Sequence, residues 1–241
     1  MNYQWNWGIF GEQSPDGSGT YLQAVIDGLG WTLATALTAW VVALVFGFAV
    51  GTLSTVADRR WSKVANAYIE LFRNIPLLVQ MFLFYFVFPE MLPAAVGAWL
   101  KSYEYSSFLT AVVSLGCYTS ARVAVQVGAG IRSLPRGQFM AGLASGMKPW
   151  QVYRFILLPQ ALRIVILPLT GEFVGVMKNS AVALTIGLME LTARTRAMTE
   201  LSFQTFEAFT VATALYVAMN LTVIFVMRHV NERLTAQAGR R

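Results

Sequence analysis

The sequence predicts an all-α membrane protein that crosses the bilayer five times, with its N-terminus outside and its C-terminus in the cytoplasm. Three observations support this fold class: an apolar composition, five long apolar segments, and an uneven distribution of Lys and Arg among the loops. Of the 241 residues, 56% are hydrophobic and only 12% are charged. A soluble domain typically has about 25% charged residues, so the composition favours the membrane class.

Five segments are apolar and long enough to cross a bilayer core of about 30 Å, which requires about 20 helical residues. They are approximately Gly28–Val56, Ile69–Phe88, Ser107–Ile131, Ala161–Val182 and Phe209–Met227. The second is weaker than the others, because Arg73, Asn74 and Pro76 stand near its start. The segment Pro89–Leu100 is too short to cross, and its prolines and Trp99 indicate an interfacial helix at the outer surface.

The loops predict the orientation, because Lys and Arg accumulate on the cytoplasmic side of a membrane protein. Basic residues follow the first, third and fifth segments: Arg59, Arg60 and Lys63; Arg132, Arg136, Lys148 and Arg154; Arg228, Arg233, Arg240 and Arg241. On the other side, residues 1–27 carry no Lys or Arg, Pro89–Ser106 carries only Lys101, and acidic residues dominate Glu190–Glu207. We therefore expect a periplasmic segment 1–27 without a signal peptide, a transmembrane domain 28–230 with a cytoplasmic loop 132–159, and a cytoplasmic tail 231–241.

The composition disfavours several other functions. The net charge of +6 is spread over loops between apolar segments, so we expect no nucleic-acid partner. With a single cysteine, Cys117, and a single histidine, His229, the sequence predicts neither a disulfide framework nor a metal site. No nucleophile–base pair or carboxylate pair indicates an enzyme, so no catalytic residue is assigned. No G-x-x-x-x-G-K-[ST] loop occurs, so the chain is not expected to bind ATP.

The loop between the third and fourth segments is predicted to form two short helices. The first covers Gln138–Ser145 and ends at Gly146, which suits a left-handed stop. Pro149 is tolerated in the first turn of the second helix, Trp150–Leu158, and Pro159 then begins the fourth span. The small residues of the first helix would let it approach a partner protein closely, although a helix lying on lipid headgroups fits the same residues.

The spacing of this loop resembles a known motif. Gly146, nine further residues, Ile156, one residue and then Leu158-Pro159 resemble the EAA loop of ABC importer permeases, EAA-x3-G-x9-I-x-LP. The Glu-Ala-Ala of that family is replaced here by Met140-Ala141-Gly142, so the usual acidic contact to the ATPase is missing.

Other segments resemble the polar amino-acid branch of the same family: Glu70–Gln80 (ELFRNIPLLVQ), Leu134–Gln138, Pro159–Ala161 and Lys178–Ser180. Trp5–Phe10 (WNWGIF) and Ala121-Arg122 are similar to permeases of glutamate/aspartate importers. The likeness runs from Trp5 to the last span.

The resemblance implies a type I importer fold in a bacterial cytoplasmic (inner) membrane, and import of acidic amino acids. It implies a second permease subunit, two ATP-binding subunits and a periplasmic amino-acid-binding protein as partners, with ATP bound by the partner and no cofactor in this chain. Met140 favours a heterodimer with a sister permease that carries the fuller motif. The residues implied in coupling to the ATPase are Ala141, Gly142, Gly146, Ile156, Leu158 and Pro159.

Charged residues inside spans are costly, by about 2.5–3.5 kcal/mol at the bilayer centre, and so need a partner or a function. Arg122 precedes Arg132 by about 15 Å along a helix, which places it near mid-bilayer. A guanidinium there suits a substrate with two carboxylates, and we predict this role. The alternative is an internal ion pair with Glu172 in the fourth span.

Further polar residues in the fourth span are assigned to the pathway or its gating: Glu172, Lys178, Asn179 and Ser180. Lys178-Asn179-Ser180 interrupts the apolar run and fits either a gate or a helix break packed against a partner subunit. The pairs Gly47/Gly51 and Gly171/Gly175 have the spacing that permits close helix packing.

Two other interpretations stay open. Within the family, the substrate could instead be another polar amino acid such as glutamine or histidine. Outside it, the chain could be a secondary transporter that acts alone, although five spans without an inverted repeat argue against this.

Overall fold

The structure is a computed structural model that describes residues 3–15, 17 and 19–236. Within these ranges the regular elements are helical and no β-strand forms, apart from one isolated bridge between Gln13 and Thr20. The α-helices are α1 (Tyr21–Leu53), α2 (Arg59–Asn74), α3 (Leu77–Phe82), α4 (Phe88–Met91), α5 (Ala94–Ser102), α6 (Ser106–Arg132), α7 (Arg136–Ala144), α8 (Pro149–Val152), α9 (Leu158–Asn179), α10 (Leu191–Ser202) and α11 (Thr205–Ala236). Two 3-10 helices (Trp7–Gly11 and Ser180–Ile186) and two π turns (Leu83–Val87 and Tyr153–Leu157) complete the described part.

Four helical segments are long and apolar enough to cross a membrane: Tyr21–Leu53, Ser106–Arg132, Pro149–Ile186 and Thr205–Leu234. A fifth is present if α2 and the following Leu77–Met91 are counted as one broken span. The predicted all-α, multi-pass fold is therefore confirmed, and the helices extend beyond several predicted bounds. α1 begins at Tyr21 rather than Gly28, and α11 continues to Ala236. The end of the predicted tail, 237–241, lies outside the described residues, as do residues 1, 2, 16 and 18.

The second predicted span is not one continuous helix. Ile75 adopts an extended conformation (φ −93°, ψ 125°) between α2 and α3. The physical reason is that the ring of Pro76 clashes with a helical conformation of the residue before it. α2 itself starts earlier than predicted, because the carboxylate of Asp58 accepts a hydrogen bond from the Arg60 N–H at 2.8 Å and caps the helix.

The predicted separate helix Trp150–Leu158 is wrong, because α8, the π turn and α9 form one continuous helical segment. Pro159 therefore lies within a helix and does not begin a new one. Proline is normally excluded from a helix interior, because its ring clashes with the carbonyl four residues earlier and it lacks an N–H. The wider π turn Tyr153–Leu157 ends two residues before Pro159 and accommodates its ring, whereas Pro168 lies inside α9 without such a turn. Pro89 follows the other π turn, Leu83–Val87, in the same way.

The described residues group into two compact units. Unit 1 comprises the described parts of Met1–Ala39, Leu77–Leu115 and Val176–Leu221, and unit 2 those of Trp40–Pro76, Gly116–Gly175 and Thr222–Arg241.

In unit 1, a buried carboxylate joins three helices. Glu190 has no exposed surface and accepts the N–H groups of Thr192 (3.0 Å) and Ala193 (2.8 Å), which caps α10. The same carboxylate accepts the Tyr216 hydroxyl of α11 at 2.9 Å and the Thr32 hydroxyl of α1 at 3.3 Å. From the sequence, Glu190 was only one of several acidic residues in a loop predicted to lie outside. In the structure, its buried carboxylate accepts four hydrogen bonds.

A second acid of unit 1 holds the N-terminal segment. The Glu207 carboxylate, at the start of α11, accepts hydrogen bonds from the Tyr3 hydroxyl and from the Asn6 N–H. Tyr3 also packs edge-on against Phe206, with ring centroids 4.6 Å apart. The segment that precedes α1 is thereby attached to the first turn of α11.

In unit 2, glycines bring α1 and α6 close together. A Cβ on Gly47 would lie 2.5 Å from Val123 Cγ1, and one on Gly51 would lie 2.7 Å from the Ala124 carbonyl oxygen. The close packing expected at this pair is confirmed. At Gly171 and Gly175, apart from chain neighbours and the surrounding helix backbone, no atom of the described residues lies within 4 Å of an added Cβ, so this pair makes no close helix contact within the described chain.

Gly51→Ala should lower the stability of the purified protein by about 1–3 kcal/mol, because the methyl group meets backbone that has no space to yield. A thermal melt in detergent measures the change as a lower apparent Tm. Gly175→Ala is the matched control and should be neutral or slightly stabilising, since alanine favours the helix and the site is open. If Gly51→Ala and Gly175→Ala had the same apparent Tm, the close contact between Gly51 and Ala124 would be contradicted.

Burial raises the pKa of the Glu190 carboxyl above its ordinary value of 4.5, against the opposing effect of the hydrogen bonds it accepts. The folded state therefore binds this proton more tightly than the unfolded state, and the free energy of unfolding should fall as the pH rises above about 4.5. Glu190→Gln cannot titrate and should flatten the dependence of apparent Tm on pH. Glu200→Gln, on the exposed side of α10, controls for the loss of one charge. If the apparent Tm of Glu190→Gln changed with pH as much as that of the wild type, Glu190 would not be the source of the pH dependence.

Candidate functional site

The in-membrane residues Arg122 and Glu172 meet in unit 2. Arg122 of α6 donates from Nε to Glu172 Oε2 of α9 at 2.9 Å. Its Nη1 donates to the Tyr118 hydroxyl at 3.3 Å, one helical turn earlier, and its guanidinium carbon lies 5.5 Å from the centre of the Tyr118 ring. The Arg122 side chain is 45% exposed and that of Glu172 is 17% exposed. The structure thus forms the ion pair that the sequence offered as an alternative.

The position of Glu172 is fixed by its neighbour in α9. Phe173 stacks on Trp40 of α1 with ring centroids 4.7 Å apart and an interplanar angle of 2°. This contact holds α9 against α1 and orients Glu172 toward α6. The pair presents one fixed carboxylate and one partly exposed guanidinium, which can still bind a further carboxylate. The role of Arg122 in substrate binding stays a prediction.

The triplet Lys178-Asn179-Ser180 lies in unit 1, where α9 ends at Asn179 and a 3-10 helix begins at Ser180. Ser180 is fully buried, and its hydroxyl donates to the Met177 carbonyl oxygen at 2.7 Å. Lys178 is exposed. The polar triplet therefore coincides with a change of helix type, and its part in gating stays a prediction.

The first helix of the loop between the third and fourth spans, α7, ends as the sequence predicted. Gly146 has φ +82°, in the left-handed region that glycine adopts freely. The Met147 N–H donates to the Gly142 carbonyl at 3.1 Å, and the Gly146 N–H donates to the Leu143 carbonyl at 3.0 Å. These two bonds form a Schellman motif, which satisfies the last carbonyls of α7 and turns the chain sharply.

Gly142 is the contact point between α7 and the next helical segment. It is buried, and an added Cβ would lie 2.8 Å from Val152 Cγ2 and 3.1 Å from Ile156 Cδ1. The resembled motif has alanine at the position of Gly142. Glycine is required here, because the branched side chain of Val152 lies opposite it. Ala141, beside it, is exposed, and Leu158 and Pro159 lie in the continuous helix that follows.

Around this loop the chain exposes large apolar side chains. Met140, Trp150 and Phe155 are 62%, 58% and 60% exposed. Met140 also lines a groove of about 450 Å³, together with Phe139, Tyr153, Arg132 and Arg136. Exposed apolar patches with a polar rim mark interaction surfaces.

Sequence reasoning missed the attachment of this loop to the end of the first span. The Tyr153 hydroxyl, in the π turn, donates to the Thr55 carbonyl at 2.9 Å, and its ring packs edge-on against Phe139 at 5.9 Å. No local pattern signals a bond between residues so far apart in sequence. Within the described residues, no group of three or more His, Cys, Asp or Glu is placed to hold a metal ion.

Gly142→Ala should destabilise the protein by about 1–3 kcal/mol through overpacking against Val152. Adding Val152→Ala should recover part of this loss, because it removes the methyl groups that the new Cβ meets. A double-mutant cycle on apparent Tm in detergent measures the coupling. Strictly additive effects of the two substitutions would contradict the contact.

Comparisons with known proteins agree with this architecture. The family profile described as "Binding-protein-dependent transport system inner membrane component" matches residues 43–236. The chain is 42% identical over 237 residues to the glutamate/aspartate import permease protein GltJ of Escherichia coli (strain K12), covering 97% of this chain and 96% of that protein. It is 29% identical over 209 residues to the probable glutamine ABC transporter permease protein GlnM of Bacillus subtilis (strain 168), covering 87% and 92%.

A solved structure described as the crystal structure of an amino acid ABC transporter with histidines superposes with a TM-score of 0.73 at 27% identity, covering 88% of this chain and 95% of that one. The resemblance drawn from the loop spacing is thereby confirmed. The chain belongs to the family of inner membrane components of binding-protein-dependent transport systems, the permease subunits of ABC importers.

Proposed function

We propose that this chain is the transmembrane subunit of an importer that carries glutamate and aspartate across the bacterial inner membrane. The observation that carries the proposal is the 42% identity, over nearly the whole chain, to the glutamate/aspartate import permease of E. coli. The chemistry of Arg122 supports the same substrate class, because a guanidinium binds carboxylates bidentately.

In the proposed mechanism, Glu172 stabilises Arg122 when no substrate is present. An unpaired charge within a span costs about 2.5–3.5 kcal/mol, and the pair offsets this cost. Nε of Arg122 stays on Glu172 and fixes the plane of the guanidinium. The Nη groups then receive a substrate carboxylate in exchange for the weaker bond to Tyr118, which is 3.3 Å long.

Coupling to ATP follows from the continuity of the helix that begins at Pro149. Two ATPase subunits on other chains bind and hydrolyse ATP, and they engage α7 and the exposed apolar residues beside it. Ala141, Gly142 and Gly146 shape the docking helix, and Ile156, Leu158 and Pro159 carry its movement into α9. Because no break separates residues 149–186, a displacement of the loop acts directly on the segment that holds Glu172 and Lys178.

The remaining partners follow from the family. A periplasmic binding protein delivers the substrate on the side opposite the loop. A sister permease completes the pathway, since Met140 stands where the family motif has a glutamate and the sister would supply the fuller contact. The N-terminus faces the periplasm and the C-terminus the cytoplasm. Lys178, Asn179 and Ser180 serve as a gate where the helix type changes.

Uptake of labelled glutamate into proteoliposomes containing the complete importer and ATP tests the proposal. Arg122→Gln should reduce uptake at least about tenfold, because a charge-assisted hydrogen bond to the substrate is lost, while assembly and basal ATPase activity persist. Arg196→Gln, which removes an arginine from an exposed ion pair, is the matched control and should transport normally.

The opposing outcome is also defined. Loss of assembly in Arg122→Gln, with recovery in Arg122→Gln/Glu172→Gln, would show that the pair is only structural. Unlabelled aspartate should compete with glutamate, whereas glutamine and arginine should not.

The second candidate substrate is glutamine, which the likeness to the probable glutamine permease of B. subtilis favours. In the same assay, stronger competition by glutamine than by aspartate would establish it. Uptake driven by a proton gradient without ATP would instead indicate a transporter that acts alone.

A further inference from the structure

A small cavity of unit 1 lies between α4, α5 and the start of α6, and none of the residues assigned to transport lines it. Its volume is about 300 Å³, and its lining includes Tyr85 and Phe86 of the π turn, Glu90 of α4 and Lys101 of α5. Lys101 Nζ and Glu90 Oε1 form an ion pair at its edge. A cavity with one cation, one anion and two aromatic rings has the features of a ligand site.

The two charges are held opposite each other by a close backbone contact. A Cβ on Gly97 would lie 2.2 Å from the Pro89 carbonyl oxygen, so only glycine allows α5 to approach α4 this closely. Lys101 lies one helical turn after Gly97 on the same face of α5. Glu90 directly follows Pro89. The glycine contact therefore sets the distance between the two charged side chains.

The aromatic wall depends on a second irregular feature. Tyr85 and Phe86 belong to the π turn Leu83–Val87, which leads directly into α4. π turns are rare and are frequent at functional sites, because the extra residue redirects the side chains around it. Here the turn brings both rings to the same cavity as the ion pair.

We propose that this cavity binds a zwitterion that carries a primary ammonium and an anionic oxygen group. The ammonium pairs with Glu90 and the anionic group with Lys101, so the ligand replaces one ion pair with two. Opening the existing pair costs little, because the side chains of Lys101 and Glu90 are 48% and 68% exposed and exposed pairs contribute little to stability. A ligand with only a negative or only a positive charge would pair with one of the two side chains and be repelled by the other.

The surroundings point to two sources of this chemistry. Trp99, Tyr103 and Tyr105 are 56%, 40% and 43% exposed, and Trp99 stacks on Tyr103 at 5.4 Å. Such exposed aromatic groups are typical of the membrane–water interface. At that depth, both a dissolved α-amino acid and the headgroup of phosphatidylethanolamine present an ammonium with an anionic oxygen group. The proposal does not depend on the transported substrate, since neither charge belongs to the Arg122–Glu172 pair.

Binding to the full-length chain, purified in lipid-free detergent, tests the proposal. One arm measures equilibrium binding of labelled glycine, the smallest amino-acid zwitterion. The other measures retention of dioleoyl phosphatidylethanolamine against the matching phosphatidylcholine and phosphatidylglycerol by native mass spectrometry. Phosphatidylcholine has no ammonium hydrogen to donate, and phosphatidylglycerol has no ammonium.

We expect the wild-type chain to bind either glycine or phosphatidylethanolamine, with at least about tenfold preference for phosphatidylethanolamine over the other two lipids in the second case. Lys101→Gln and Glu90→Gln should each weaken binding by about two- to fivefold with little change in apparent Tm, because exposed ion pairs contribute up to about 1 kcal/mol. The double variant Arg196→Gln/Glu200→Gln removes an equally exposed ion pair outside the cavity and should bind as wild type does. Displacement of the lipid by glycine identifies the amino acid as the ligand, and lipid binding that glycine leaves unchanged identifies the headgroup.

Any one of three results would overturn the proposal. The first is that the wild-type chain binds neither probe, and the second is that binding survives both single substitutions. The third is that phosphatidylglycerol binds as tightly as phosphatidylethanolamine. The exchanged variant Glu90→Lys/Lys101→Glu guards against misfolding, because it keeps an ion pair between the two helices. Normal melting and retained binding of this variant, together with weakened binding in the single variants, would show that binding depends on the two charges.

Discussion

The structure depends on one constraint, namely that polar groups inside a membrane must find partners within the protein. The backbone meets it through long helices. The chain breaks at Ile75, where the ring of Pro76 disfavours a helical conformation, whereas the helices continue through π turns ahead of Pro89 and Pro159. The charged side chains follow the same rule. Arg122 pairs with Glu172, and the buried carboxylate of Glu190 accepts four hydrogen bonds from three helices.

Glycine contacts set the distances between helices in both units. Lipid tails are as apolar as leucine, so helices in a membrane associate through close packing rather than through the hydrophobic effect. Gly47 and Gly51 bring α1 onto α6, Gly142 brings α7 onto Val152, and Gly97 brings α5 onto Pro89. Two of these contacts lie beside features for which we propose a function: the loop 132–159 at Gly142 and the Glu90–Lys101 pair at Gly97. The proposed mechanism uses this rigidity, because a stiff loop can transmit the movement of an ATPase.

Much of the site could be predicted from particular residues. Gly146 and Pro149 predicted the turn within loop 132–159, because their backbone preferences are local and strong. The spacing to Ile156 and Pro159 predicted the family. The sequence also offered Glu172 as a partner for Arg122, since an arginine in a span needs one. It did not predict the π turn at Tyr153, the bond from Tyr153 to Thr55 or the capping role of Glu190. These depend on contacts between distant segments and leave no periodic signal.

The sequence by itself determined that this is a helical membrane protein of the ABC permease family, because hydropathy, loop charge and motif spacing are properties of consecutive residues. The tertiary structure alone decided which glycines are close contacts, since Gly47/Gly51 and Gly171/Gly175 have the same spacing and, among the described residues, the first pair alone packs on a neighbouring helix. It also decided that the part of the loop from Pro149 onward and the fourth span form one continuous helix. The tolerance of Pro159 depends on the helix type before it, and the residue sequence alone does not reveal a π turn.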